Sequence, residues 1–204
     1  MRNLILDPLP HTVRVGEEDV PIRWDFRTSM LFEMLMQEES LPEEQRLLQG
    51  LALYYPQPPR DLPTAVDAML WFYRCGREEG DGSKGGPARA AGPAYSYDAD
   101  ADYIYAAFLG QYGVDLTCAT LHWWQFRALF RALTADNEFV KIMGYRSMVI
   151  DHRLSPEQQR FYREMKKMVA IPLPKHRQQQ VSALEEALMN GGDVGALLHH
   201  QDAP

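Results

Sequence analysis

The chain has 204 residues, of which 46% are hydrophobic and 11% aromatic; this composition is that of a globular protein and excludes a disordered chain. The formal net charge of −7 disfavours sequence-independent binding to nucleic-acid phosphates, so we expect no nucleic-acid partner. No apolar run approaches the roughly 20 residues that span a bilayer, and Asp7 and Pro8 interrupt the N-terminus before a secretory hydrophobic region. We therefore expect a cytoplasmic protein without a membrane partner.

The two cysteines, Cys75 and Cys118, stand apart in apolar surroundings. Neither has the neighbouring cysteine or histidine that a metal site requires, so we expect buried, reduced thiols. The sequence leaves a disulfide between them open.

The first predicted element is a β-hairpin. Residues 12–15 alternate between polar and apolar side chains, residues 16–19 have the composition of a turn, and residues 20–24 resume the alternation. Pro21 cannot donate a hydrogen bond to a neighbouring strand, so the second strand must be an edge strand. Because an isolated hairpin is only marginally stable in water, we expect it to pack against helices.

Three amphipathic helices are predicted after the hairpin. Asp25 and Asp61 are suitable N-cap residues for the first and the third helix, and Ser40 and Glu43 have the spacing of a capping box for the second. The prolines of segment 55–59 end the second helix. The predicted apolar face of this second helix consists of Leu47, Leu48, Leu51 and Tyr55.

A segment rich in glycine, alanine and proline, residues 79–96, follows these helices. Nothing in its composition can anchor a core, so we predict a flexible loop. It separates an N-terminal part, residues 1–78, from a helical core, residues 97–190, and a frayed tail, residues 191–204. The sequence leaves open whether the two parts are separate domains or one structural unit, and we favour one unit.

The second half has a stronger helical pattern. The spacing of aromatic residues predicts a helix over 97–112 that Gly113 ends, and a very apolar, central helix that begins at Asp115 or Thr117. A short helix is predicted from Asp136, then one capped by Ser155, then one over 181–190. Together these elements predict a mainly α fold, a helical bundle with an N-terminal β-hairpin. The side chains expected in the core of the central helix are those of Trp123, Trp124, Phe126 and Phe130.

Three sequence patterns resemble metal-binding, phosphate-binding or catalytic motifs but lack features that those motifs require. The acidic run that begins at Asp98 resembles a calcium loop, but Tyr103 and Leu109 occupy the places of the required glycine and glutamate. The glycine-rich run 80–86 lacks the order of residues that a phosphate loop requires. His122 has no accompanying catalytic motif, so we interpret it as structural. We therefore expect no enzyme activity, no catalytic residue, no metal and no cofactor.

Short aromatic motifs recur between residues 97 and 146, with weaker ones at 24–27 and 71–74. In these motifs the chain resembles the tail assembly chaperones of tailed bacteriophages, proteins encoded close to the tape-measure gene. The resemblance rests on Tyr97-Asp98-Ala99-Asp100, Ile104-Tyr105-Ala106-Ala107-Phe108, Tyr112-Gly113-Val114-Asp115-Leu116, Leu121-His122-Trp123-Trp124-Gln125-Phe126, Leu129-Phe130 and Ile142-Met143-Gly144-Tyr145-Arg146. Besides the four residues of the central helix, the motif residues that we expect in the core are Tyr97, Asp98, Tyr105, Phe108, Tyr112, Asp115, Gly144 and Tyr145.

The resemblance implies a non-enzymatic chaperone of phage tail assembly that acts in the cytoplasm of the host bacterium. Its expected partners are the tape-measure protein and other tail assembly proteins, and self-association is left open. A helical chaperone could shield the apolar stripes of a tape-measure protein by receiving its helices in an apolar groove. The alternatives are a structural component of the tail or its connector, and a small enzyme of unidentified type.

Overall fold

The computed structural model describes residues 3–38, 40–77 and 92–172. This part of the chain is mostly helical, with seven helices and one two-stranded antiparallel sheet, so the predicted fold class is confirmed. The chain divides into two units, Met1–Val169 and Ala170–Pro204, and all nine elements lie in the first. Most of the predicted loop 79–96, the predicted helix 181–190 and the predicted tail 191–204 lie outside the described residues.

The N-terminal hairpin consists of β1, Thr12–Val15, and β2, Glu18–Pro21. Val15 pairs with Glu18, so the connecting turn has two residues, and Gly16 has a φ of 61° that glycine adopts without steric cost. The predicted second strand, 20–24, therefore began too late. Val13 and Val15 are buried and hold the hairpin against the third helix.

The first three helices are α1, α2 and α3. Asp25 accepts a hydrogen bond from the backbone N–H of Arg27, and Asp61 accepts one from that of Thr64, which confirms both predicted caps. The capping box predicted from Ser40 is wrong, because Pro42 itself is the N-cap and Ser40 lies too far from the helix. The bounds are Phe26–Met36, Glu43–Tyr54 and Leu62–Tyr73.

The described part of the second half, residues 92–172, contains four helices. Their starts differ from several of the predicted ones, because side chains that resemble caps in sequence close only local turns. Asp115 accepts hydrogen bonds from the N–H and the hydroxyl of Thr117, but the helix begins eight residues later at Trp123. Gly113 ends its helix in the left-handed conformation, as predicted. The bounds are α4, Ala101–Tyr112; α5, Trp123–Arg131; α6, Glu138–Ser147; and α7, Pro156–Met168.

Backbone pairing joins the two halves of the sequence. The backbone N–H of Trp123 donates to the oxygen of Trp24 at 2.9 Å, and that of Phe26 donates to the oxygen of Leu121 at 3.1 Å. This short antiparallel pairing places the start of α5 beside the start of α1. The helix that was predicted to be central is therefore fixed in the core by hydrogen bonds as well as by packing.

Aromatic rings fill the core around α5. Phe126 is fully buried and stacks on Phe26, Phe108 and Trp123, with ring centroids 5.0, 4.9 and 5.7 Å apart. Such contacts add to the free energy that the burial of aromatic surface contributes. The core therefore draws its rings from α1, α4 and α5, which lie far apart in the sequence.

A buried ion pair holds the segments around α6 together. The guanidinium group of Arg146 donates to both carboxylate oxygens of Asp100, at 2.6 and 2.9 Å. It also donates to the backbone oxygens of Ala94 and Val169. One arginine thus connects the start of α4, the described end of the predicted loop and the end of α7.

Candidate functional site

An apolar groove lies where α2 ends and α3 begins. It has a volume of about 340 Å³. Two leucines at its edges, Leu48 and Leu62, are 49% and 43% exposed. The remaining lining side chains belong to Arg23, Leu51, Ala52, Tyr55, Pro56, Pro58 and Pro59.

Arg23 fixes the floor of the groove at the end of α2. One of its guanidinium nitrogens donates to the backbone oxygens of Ala52 and Leu53, both at 2.8 Å, and to that of Tyr55 at 3.3 Å. The last carbonyls of a helix have no partner within the helix, and a cation is favourable at that end. Arg23 therefore stabilises the helix end and leaves an apolar surface above it.

Two buried tyrosines support the groove from below. The hydroxyl of Tyr54 donates to that of Ser29 at 2.7 Å, and the hydroxyl of Tyr55 donates to the backbone oxygen of Ala65 at 2.8 Å. Burial raises the pKa of Tyr55 to about 12, so this hydroxyl stays protonated at neutral pH. The α2–α3 connection is thus held in a fixed shape, and the three prolines restrict it further.

The groove offers apolar contact and no reactive group. Its one charged residue, Arg23, directs donors to backbone oxygens. An aliphatic or aromatic side chain that entered the groove would lose contact with water, which favours binding by roughly 25 cal/mol per Å² of apolar surface. The chemistry of this site is therefore that of an apolar binding surface, with exposed leucines at its rim.

A polar cluster inside the bundle is the alternative candidate for a site. The carboxylate of Glu33 accepts hydrogen bonds from the hydroxyls of Tyr73 at 2.7 Å and Tyr95 at 2.9 Å, and Arg127 lies 3.9 Å away. Burial raises the pKa of Tyr95 to about 12, and burial together with Glu33 raises that of Tyr73. Neither hydroxyl is poised to release its proton near neutral pH, so the cluster joins α1, α3 and α5 without the properties of an acid–base centre.

The residues of the aromatic motifs lie mainly in the core, not in the groove. Asp98 and Gly144 are exposed and are therefore corrections to the expected core. Asp98 is exposed because the neighbouring Asp100 is the carboxylate that turns inward to Arg146. The buried residues of the set are Tyr97, Phe108, Trp123, Trp124, Phe126 and Phe130, and the half-buried ones are Tyr105, Tyr112, Asp115 and Tyr145.

His122 is the N-cap of α5. Its Nδ1 accepts a hydrogen bond from the backbone N–H of Trp124 at 3.0 Å, so Nε2 carries the proton and donates to the oxygen of Pro10, also at 3.0 Å. The side chain of Gln125 completes a capping box by accepting from the N–H of His122. Burial lowers the pKa of this histidine. Both ring nitrogens of His122 are therefore engaged in hydrogen bonds with the backbone, which agrees with its interpretation as a structural residue.

The cysteines are not paired. Cys75 is half-buried and Cys118 is exposed, and both are free thiols, so the expected burial of Cys118 is wrong. In its turn, 115–118, Leu116 is the residue that faces the core, and Thr117 and Cys118 are exposed. Within residues 3–38, 40–77 and 92–172, no group of three or more histidine, cysteine, aspartate or glutamate side chains could hold a metal ion. None of the helices in those ranges is long and apolar enough to cross a membrane.

Comparison with known families gives an assignment that covers most of the chain. Residues 5–171 match the family described as Bacteriophage Gp15 protein. The chain belongs to this family. It is therefore a bacteriophage protein, which agrees with the phage origin that the sequence resemblance implied. No curated protein and no solved structure matches the chain.

The sequence patterns alone did not predict the groove. Leu48 was assigned to the same apolar face as Leu51 and Tyr55, but these two are buried and Leu48 is half exposed. The available signal was the dense proline cluster directly after a helix with a wide apolar face. Such a cluster cannot fold over the helix as another helix would, so it leaves part of that face uncovered.

Proposed function

We propose that this bacteriophage protein is a non-enzymatic tail assembly chaperone that binds apolar helical segments of the tape-measure protein in the cytoplasm of the host. The observation that carries the proposal is the apolar groove between α2 and α3, with Leu48 and Leu62 at its edges. Membership of the phage family supports the setting, and the motif resemblance supports the choice of partner.

Helix-in-groove recognition suits both partners. The apolar side chains of an amphipathic helix recur every three or four residues and enter a groove as separate anchors. Tape-measure proteins are long and helical, so their apolar stripes would aggregate before a tail tube surrounds them. A preformed groove that covers one or two turns at a time would keep them soluble, and several copies of the chaperone would act along one tape measure.

The direct test is co-expression of this chain with the tape-measure protein of the same phage. We expect the tape-measure protein to stay soluble and to co-purify with the chain, and moderate salt to weaken the complex little, because apolar contacts are not screened. If the tape-measure protein is equally soluble alone, or does not co-purify, the chaperone proposal is wrong.

A substitution pair tests whether the groove is the contact. Leu62→Asp places a charge at the groove edge, at the first position of α3, where an acidic residue is favourable for the helix. Leu109→Asp is the matched control, because Leu109 on α4 is also 43% exposed and lies outside the groove. We expect Leu62→Asp alone to weaken co-purification, by roughly tenfold for one lost apolar anchor. Equal behaviour of the two variants would exclude the groove as the binding surface.

The structural alternative is that the protein remains in the tail or its connector. The family assignment is compatible with this role too. Mass spectrometry of purified virions separates the two possibilities, since a chaperone should be absent from the finished particle. Presence of the protein at a stoichiometric level in virions would favour the structural role.

A further inference from the structure

Helix α7 differs from the other helices in how little of it is covered. None of its residues is buried, and Phe161 and Met168 are 48% and 75% exposed. Its aromatic contact with α6 is the edge of the Phe161 ring against Tyr145, with ring centroids 6.3 Å apart. The helix therefore presents two large apolar side chains, seven residues apart, to solvent.

A row of four charged residues runs beside these apolar side chains. Glu157, Arg160, Glu164 and Lys167 alternate in sign, are separated by three, four and three residues, and are all exposed. Opposite charges at such spacings often pair within one helix. In the described part of the chain, however, none of the four side chains makes a hydrogen bond or an ion pair.

The charges of this row are complementary to those of the same row read in the opposite direction. Read from the C-terminal end, the spacings are again three, four and three, and each sign is inverted. A second copy of α7 laid antiparallel would therefore place its Lys167 opposite Glu157, and its Glu164 opposite Arg160. The twofold axis repeats these two pairings, so the interface contains four, as an isologous arrangement requires. In a parallel arrangement each charge would instead meet its own like charge.

The apolar side chains fit the same arrangement. Phe161 lies near the middle of the row and so would lie near the twofold axis, where the two copies approach most closely. Met165 and Met168 continue its stripe, four and seven residues further along. Methionine side chains adapt to a facing surface because they are long and flexible.

We propose that α7 is a self-association surface through which two copies of this chain pair in an antiparallel, twofold-symmetric manner. Apolar contact between the Phe161 stripes supplies the attraction, and the alternating charges select the antiparallel register. This inference does not depend on the identity of the tape-measure protein or on the groove.

Two charge reversals test the register. In Glu157→Lys the row becomes positive at both ends, and in Lys167→Glu it becomes negative at both ends. Each homodimer then contains two repulsive end contacts, and we expect its dissociation constant to rise about tenfold or more. A one-to-one mixture of the two variants restores both end contacts, so we expect the mixed dimer to form about as well as the unaltered one.

Sedimentation equilibrium of the full chain at several concentrations measures these constants. The matched controls are Glu17→Lys and Arg131→Glu, exposed sites away from α7 that change the net charge by the same amounts. Circular dichroism establishes that every variant is folded. A monomer at all concentrations for the unaltered chain would overturn the proposal. A mixture that stays as weakly associated as each variant alone would overturn it equally, provided that circular dichroism shows the helix content of the unaltered chain in both α7 variants.

Discussion

Helices α5 and α7 begin with the same capping arrangement but differ in how deeply they are buried. Each starts with a complete capping box, made by His122 and Gln125 in α5 and by Ser155 and Gln158 in α7. Yet α5 buries two tryptophans and two phenylalanines, whereas α7 buries no residue. Local hydrogen bonds therefore determine where a helix starts, and they do not determine how deep it lies.

The depth at which each of these helices is buried follows from the width of its apolar face. Aromatic residues occupy four of the nine positions of α5 and form a broad apolar face, so several neighbouring elements pack against it. The apolar stripe of α7 is narrow and lies between charged residues. Among the described elements, α6 packs against one side of this stripe, and Phe161 stays half exposed.

The largest effect that we predict compares one phenylalanine from each helix. Phe126→Ala removes a fully buried ring that stacks on three others, so the free energy of unfolding should fall by about 3–5 kcal/mol. Phe161→Ala removes a half-exposed ring and should cost roughly 1 kcal/mol or less. Urea denaturation of both variants measures the difference. Equal losses would mean that α7 is as deeply packed as α5.

An intermediate effect is predicted for the two caps. His122→Ala removes the cap of α5 and leaves the oxygen of the buried Pro10 without its donor, so we expect a loss of about 2–4 kcal/mol. Ser155→Ala removes an exposed cap and should cost about 1 kcal/mol. Thermal unfolding followed by circular dichroism gives both values. A larger loss in Ser155→Ala would show that the burial of a cap does not add to its contribution.

The sequence predicted those parts of the fold that local chemistry determines. The caps at Asp25, Asp61 and Ser155 and the helix end at Gly113 all depend on residues within one turn of the boundary. The start of α5 could not be found in this way. Histidine is an unusual N-cap, and its orientation depends on Pro10, which is 112 residues away.

The apolar periodicity of α2 did not reveal the groove, for a related reason. The apolar periodicity of α2 shows which residues can be buried, but the neighbouring chain decides which of them are. Leu51 is covered by the rest of the bundle, while Leu48 faces the proline segment and stays half exposed. The family resemblance did not help here, because most of the motif residues that carry it are in the core rather than in the groove.

The smallest effect that we predict is a pH dependence that belongs to α5 and not to α7. Burial lowers the pKa of His122, with a contribution from the nearby His11, so the unfolded chain takes up a proton at a higher pH than the folded one. The stability that neutral His122 contributes is therefore complete above its ordinary pKa of 6.5 and is lost as the pH falls below that value. The cap of α7, formed by Ser155, does not titrate.

The substitution His122→Asn isolates this pH dependence. Asparagine is a good N-cap residue that carries no titrating group, so the variant should lose less stability than the unaltered protein between pH 7 and pH 5. The exposed His152 provides the control, because His152→Asn removes a histidine without removing a cap. Denaturation midpoints at several pH values measure the slopes. If the slope of His122→Asn equals that of the unaltered protein, groups other than this cap cause the loss of stability in acid. Protonation at Nδ1 would then not disrupt the start of α5, although the hydrogen bond from Trp124 requires that nitrogen as an acceptor.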